Sequence, residues 1–173
     1  MQGCQGGYFV RIGVISDTHL SGYSEKLKKI VDRYFSDVDL IIHAGDLVDL
    51  AVLKVFGDRK VMAVCGNMDP LSVRQQLPDR LLLEIRGFRL GVMHGWGNAE
   101  NLEDKIHQLL GPVDCIIYRH SHYPVNRMKE GVLFFNPGSA LDKRYARENT
   151  VGILEIGDRI RGEIVKIEIE KES

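Results

Sequence analysis

The sequence holds only three cysteines, Cys4, Cys65 and Cys115, too few and too scattered for a disulfide framework. No two of them form a C-x-x-C pair, and the odd number leaves at least one unpaired within the chain. Cys65 and Cys115 fall inside apolar runs, where a free thiol behaves as a small hydrophobe, so the reading is a reducing, cytoplasmic setting. No apolar run approaches the roughly 18 residues needed to cross a bilayer, so no membrane partner is expected. Charge of one sign is not in excess either. Lys+Arg 23 against Asp+Glu 24 gives a formal net charge of -1, which argues against a broad nucleic-acid surface and leaves room for a local positive pocket. Internal repeats and low-complexity linkers are absent. The opening M-Q-G-C-Q-G-G lacks the basic start and apolar stretch of a signal peptide. Residues 1–7 therefore read as a disordered leader or tag remnant, and residues 8–173 as a single domain.

What is present is an ordinary globular composition, 44% apolar and 27% charged, in a chain long enough to bury roughly two-thirds of its unfolded surface. Five short Val/Ile/Leu-rich runs, at 10–16, 39–43, 60–65, 89–93 and 114–118, read as strands buried on both faces. Each is followed by side chains able to hold a metal. These are Asp17 and His19, Asp46, Asn67, His94, and His120 with His122. In open α/β sheets function gathers at the carboxyl ends of strands. Seven such residues all falling at that end point to a metal site built on a sheet.

Between the runs, residues 24–35 place Leu27, Ile30, Val31, Tyr34 and Phe35 on one helical face, with Ser24 as N-cap. Residues 47–56 form an apolar second helix, and residues 98–110 a third, ended by Gly111-Pro112. Residues 81–85 and 88–93 flank Gly87 as a hairpin. Beyond residue 130 the pattern turns to strand, at 131–136, 150–156 and 162–170. The last alternates apolar with charged residues in the manner of an exposed edge. The expectation is an α/β fold of two sheets packed face to face with helices outside.

Imidazole, carboxylate and amide oxygen together suit borderline or hard divalent ions such as Mn, Fe, Zn, Co or Ni. The absence of thiolate excludes a structural zinc-cysteine site. Seven ligands exceed one tetrahedral ion and suffice for two ions sharing a carboxylate. Two ions roughly 3.5–4 Å apart can hold a bridging hydroxide, because coordination lowers the pKa of water from about 15.7 towards 7. Four positive charges from the metals, less two carboxylates and one hydroxide, leave a single positive charge in a cleft, which favours a phosphate anion.

In order and spacing, D-T-H at Asp17 to His19, G-D at Gly45 and Asp46, G-N at Gly66 and Asn67, H-G at His94 and Gly95, and H-S-H at His120 to His122 resemble the signature of the calcineurin-like metallophosphoesterases. N-P-G-S at Asn136 to Ser139 and the short length are similar to the small bacterial and archaeal phosphodiesterase branch, to which the retromer scaffold subunit also belongs. The resemblance covers residues 11 to about 167. It implies a four-layer α-β-β-α sandwich of two mixed sheets and two divalent ions, Mn2+ foremost, with Ni2+, Fe2+, Co2+ or Zn2+ as alternatives. It further implies hydrolysis of a small-molecule phosphoester, more a diester than a monoester. Asp17, His19 and His122 would hold the first ion, Asn67, His94 and His120 the second, and Asp46 would bridge. Asp46 and His120 would be the catalytic pair, and a self-associating edge or helix face is compatible with a homo-oligomer. The alternative is a scaffold module that keeps the fold and a vestigial site.

Two positions depart from the family pattern. Met68 stands where phosphatases of the superfamily usually have His after G-N, and a thioether cannot protonate a leaving group. Arg119 stands where the family has Gly. Its side chain clamps substrate phosphate, crowds the second metal or faces solvent, and the sequence leaves the three open. His43 and Asp69 read as residues that hydrogen-bond to the ligands or their loops from behind.

Overall fold

The computed structural model describes residues 8–96, 101–119, 123–141 and 148–168. The strands are β1 (Val10–Ile15), β2 (Leu40–His43), β3 (Val61–Ala63), β4 (Arg80–Ile85), β5 (Phe88–His94), β6 (Cys115–Arg119), β7 (Val125–Lys129), β8 (Val132–Asn136), β9 (Thr150–Ile156) and β10 (Ile160–Lys166). They form two five-stranded sheets, ordered β10-β9-β1-β2-β3 and β4-β5-β6-β8-β7. Within the first, β1, β2 and β3 are parallel, with β9 and β10 antiparallel beside them. Within the second, β5, β6 and β8 are parallel and the two edge strands are antiparallel.

Alternation along the central strands decides the layering. Ile12 and Val14 of β1, Leu40 and Ile42 of β2, Val92 of β5, Ile117 of β6 and Phe135 of β8 point between the sheets and form one core. The opposite face of the first sheet packs Ile15, Ile41 and Ile153 against α1 (Glu25–Tyr34) and a 3-10 helix (Leu50–Phe56). The far face of the second packs Ile116 and Phe134 against α3 (Leu102–Leu110). A one-turn α2 (Leu71–Arg74) follows β3. The result is the expected four-layer α-β-β-α sandwich of two mixed sheets.

α1 begins where its cap dictates. Leu27 N–H donates to the Ser24 hydroxyl at 3.3 Å, with Glu25 in the first turn and Arg33 in the last, each favourable at its end of the helix dipole. The apolar segment 47–56 differs from its helical reading. Its first residues belong to the loop after β2, Asp49 accepts from Ala51 N at 2.8 Å, and a 3-10 rather than α-helical turn follows. Seven residues bounded by Asp49 and by Gly57 (φ 61) leave too little length for a stable α-helix. The strand read at 162–170 lies at 160–166, on the edge expected of it, with residues 169–173 outside the described set. Residues 1–7, the expected leader, also lie outside it. Among the described residues no helix is long and apolar enough to cross a membrane.

Candidate metal centre

The loops after β1 and β2 run side by side. Asp17 N–H donates to Gly45 O, His19 N–H to Asp46 O and Leu20 N–H to Leu47 O, at 3.2–3.3 Å. This pairing holds Asp17, His19 and Asp46 in the left-handed region, at φ 52, 46 and 57. Each such non-glycine residue costs on the order of 1–3 kcal/mol, so the surrounding structure must impose it. Strain concentrated on three candidate ligands marks a place where side-chain direction matters more than local stability.

The ligand atoms of Asp17, His19 and Asp46 all lie within 4.8 Å of one another. His19 Nε2 is 3.4 Å from Asp17 Oδ1 and 3.9 Å from Asp46 Oδ2. Donors about 2.1 Å from one ion are at most about 4.2 Å apart, so a shift of well under 1 Å would close this trio on a cation. From the second sheet comes His94, at the end of β5. Its Nε2 is 3.4 Å from the same Asp46 Oδ2 and 3.1 Å from Asn67 Oδ1. One oxygen of Asp46 thus stands between two donor groups, while its other oxygen accepts from Met68 N at 2.9 Å. The donor set is oxygen and nitrogen throughout, which fits divalent ions of the Mn–Zn series.

The His94 tautomer follows from its partner. Nδ1 is 2.7 Å from Ala44 O, which can only accept, so Nδ1 carries a proton and Nε2 is the nitrogen left facing Asp46 and Asn67. Burial disfavours charge on His94, yet the Asp46 carboxylate outweighs it and raises the imidazole above its usual value. Reciprocally, Asp46 resists burial and is held below the carboxylate range by His94 and the Met68 N–H. The site is electrostatically arranged for a cation.

Behind it, His43 is fully buried, and burial pushes its pKa down to about 3, against partial support from Asp17. Gly45 N–H donates to its Nδ1 at 3.3 Å, so Nε2–H is left to donate to Thr18 Oγ1 at 3.1 Å. His43 therefore joins the two ligand loops through the Gly45 N–H of one and the hydroxyl of Thr18, between Asp17 and His19, of the other. Asp69 joins the next pair. Its Oδ2 accepts from Asp46 N (3.1 Å) and Gly66 N (2.7 Å), and its Oδ1 from Val48 N (2.6 Å). Gly66 is required by proximity, since any Cβ there would overlap Asp46 Oδ1.

Asp17, Asp46 and His94 are buried, His19 half-buried and Asn67 exposed. His120 and His122 lie outside the described residues. Arg119 is not at the surface. It is 2% exposed, and its Nε donates to Asp17 Oδ2. The Met68 side chain is 58% exposed, and its part in the site is played by the backbone N–H. One contributor escaped the sequence reading. Ser16, fully buried, has a single hydroxyl proton between Gly138 O (2.7 Å) and Asp17 Oδ2 (3.0 Å). The N-P-G-S motif signals that a turn is there, and nothing in the pattern pairs it with Ser16.

A family model described as the calcineurin-like phosphoesterase superfamily domain matches residues 10–159. The chain belongs to that superfamily. A probable metallophosphoesterase of Methanocaldococcus jannaschii is 37% identical to this phosphoesterase over 161 residues, 91% of this chain and 81% of the relative. Among solved structures, a novel archaeal phosphodiesterase superposes with TM-score 0.75 at 26% identity, over 91% of this chain and all (100%) of that one. Wild-type Vps29 from Entamoeba histolytica, in complex with Zn2+, superposes with TM-score 0.68 at 25% identity, over 91% and 99%. The superfamily uses divalent metals, and this phosphoesterase presents a donor group of the kind required.

Proposed function

We propose that this phosphoesterase hydrolyses phosphodiesters of small molecules at a dinuclear divalent-metal centre. Asp17, His19 and His122 would hold one ion and Asn67, His94 and His120 the other, with Asp46 available to both. The observation that carries the reading is the position of Asp46 Oδ2, 3.9 Å from His19 Nε2 on one side and 3.4 Å from His94 Nε2 on the other. Mn2+ is the ion best suited, with Ni2+, Fe2+, Co2+ or Zn2+ also compatible with the donors. When bound, such a pair would activate water for in-line attack and neutralise the non-bridging phosphate oxygens.

The chain's own residues do the rest. The Met68 N–H holds Asp46 Oδ1, so that Oδ2 is fixed toward both positions. The Ala44 carbonyl fixes the His94 tautomer. The thioether of Met68 supplies no proton to a leaving group, so poor leaving groups such as simple alkoxides of monoesters are disfavoured. The likeness to an archaeal phosphodiesterase supports the diester preference. A cytoplasmic setting agrees with Cys115 being a buried free thiol.

The test is hydrolysis of bis(p-nitrophenyl) phosphate and of p-nitrophenyl phosphate with Mn2+, Ni2+, Mg2+, Zn2+ or chelator, together with metal counting. The diester should be the better substrate, chelator should abolish turnover, and Asp46→Asn or His94→Ala should lower it by about 1,000-fold or more with the fold retained. The likeness to Vps29 favours a second reading, a scaffold that keeps the fold. Metal-free protein inert with every ion would establish that reading instead.

A further inference from the structure

Among the described residues Arg119 is the largest fully buried side chain and also a departure from the family pattern, and its position bears on how a first metal would be held. Asp17 is as buried as Arg119, each 2% exposed, and the ion pair joins Nε to Oδ2. On Asp17, Oδ1 faces His19 while Oδ2 receives the guanidinium and lies 3.0 Å from the Ser16 hydroxyl oxygen. A carboxylate buried to this extent is costly unless a counter-charge meets it. Arg119 supplies that charge permanently, because a guanidinium does not deprotonate in proteins.

We infer that Arg119 is a built-in counter-cation for Asp17 that competes electrostatically with the first metal ion and so sets the metal concentration at which the site fills. The inference rests on the dinuclear reading. A divalent ion on Asp17 Oδ1 would share one carboxylate with a fixed positive charge, in a pocket where neither partner is screened by water. The guanidinium either remains and repels the ion or gives up its hydrogen bond to make room. Both routes weaken binding at Asp17 and His19 relative to a chain with Gly in that place. The position around His94, Asn67 and Asp46 lacks this direct contact and should fill first. Arg119 also stabilises the empty state, since it satisfies Asp17 when no ion is there. It is thus a positioning and charge-balancing residue rather than one that meets substrate.

The experiment is a titration of metal-free protein with Mn2+, followed by the electron paramagnetic resonance of the free ion, on the unsubstituted chain and on Arg119→Gln and Arg119→Lys. The unsubstituted protein should show a tighter and a weaker site. Arg119→Gln, which keeps length and loses charge, should tighten the weaker site by about tenfold or more and leave the tighter one within about threefold. Arg119→Lys, which keeps the charge, should stay within about threefold of the parent at both. The thermal midpoint of metal-free Arg119→Gln should fall below that of the parent and approach it again with saturating Mn2+. Equal effects of Gln and Lys, or a weaker site made weaker by Gln, would overturn the inference and leave the dinuclear reading standing. Failure of the parent and both variants to bind Mn2+ would remove that reading and the inference together.

Discussion

Asp69 accepts from three backbone N–H groups, and a side chain without its oxygens would strand all three in a buried corner. Asp69→Ala should therefore cost about 2–4 kcal/mol, given roughly 1–3 kcal/mol for each unsatisfied buried donor and some relief from entering water. Urea unfolding at pH 7 measures it, and a loss below about 1 kcal/mol would mean that water replaces the carboxylate freely. His43 offers a pH-dependent counterpart. Its folded pKa of about 3 lies below the ordinary 6.5, so the unfolded chain takes up the proton first. The contribution is whole above pH 6.5 and declines as pH falls toward 3, by up to about 1.4 kcal/mol per pH unit. In metal-free protein, His43→Gln should flatten the pH 4–6 slope of stability by up to one proton. An unchanged slope would show that the imidazole is not held neutral. The identities of these residues were legible in the sequence, as an acid beside G-N and a histidine before G-D. Their partners were not, because the donors are backbone groups whose directions depend on how the two loops pair. Arg119 is the sharpest case. Its departure from Gly is visible in the string, but its direction depends on where the loop after β1 places Asp17.

Among the elements, close approaches distinguish two glycines that the sequence treats alike. A Cβ on Gly13 of β1 would lie 2.6–2.9 Å from three ring atoms of Phe35, which is buried at the end of α1. A Cβ on Gly91 of β5 would lie 2.6 Å from Leu110 Cδ1, the tip of a side chain that can rotate. Gly13→Ala should cost about 1–3 kcal/mol by overpacking, and Gly91→Ala less. Denaturant midpoints of the two variants check the order, and the reverse order would mean that α1 yields more easily than α3. Strands buried on both faces were readable because Val, Ile and Leu run without interruption. By contrast β7, V-N-R-M-K with its middle three residues exposed, carries no such signal and was missed. The one-turn α2 was missed because four residues present no period. The 3-10 helix was read as α-helix because apolar content alone cannot say that Val48, at φ 76, still belongs to the loop that carries Asp46.

At the level of the whole molecule, the candidate ligands come from both sheets, with Asp17, His19, Asp46 and Asn67 on loops of the first and His94 at a strand end of the second. An ion binding only the folded arrangement stabilises it by mass action, about 2.7 kcal/mol at a concentration 100 times its dissociation constant. Mn2+ should raise the melting temperature of the metal-free protein, chelator should reverse the shift, and Asp46→Asn should lose most of it. A shift that survives in Asp46→Asn would place the ion elsewhere. The first sheet also closes out of sequence order, since β1 lies between β2 and β9, and β9 spans Thr150–Ile156. Every candidate ligand precedes residue 123, yet the strand carrying the first of them lacks one neighbour until about thirty residues later. During synthesis, a nascent chain on the ribosome would expose all seven donors before it could lock their scaffold. A chain cut before β9 would carry every candidate donor on a first sheet that lacks one neighbour of β1, and such a fragment should bind Mn2+ more weakly than the whole fold.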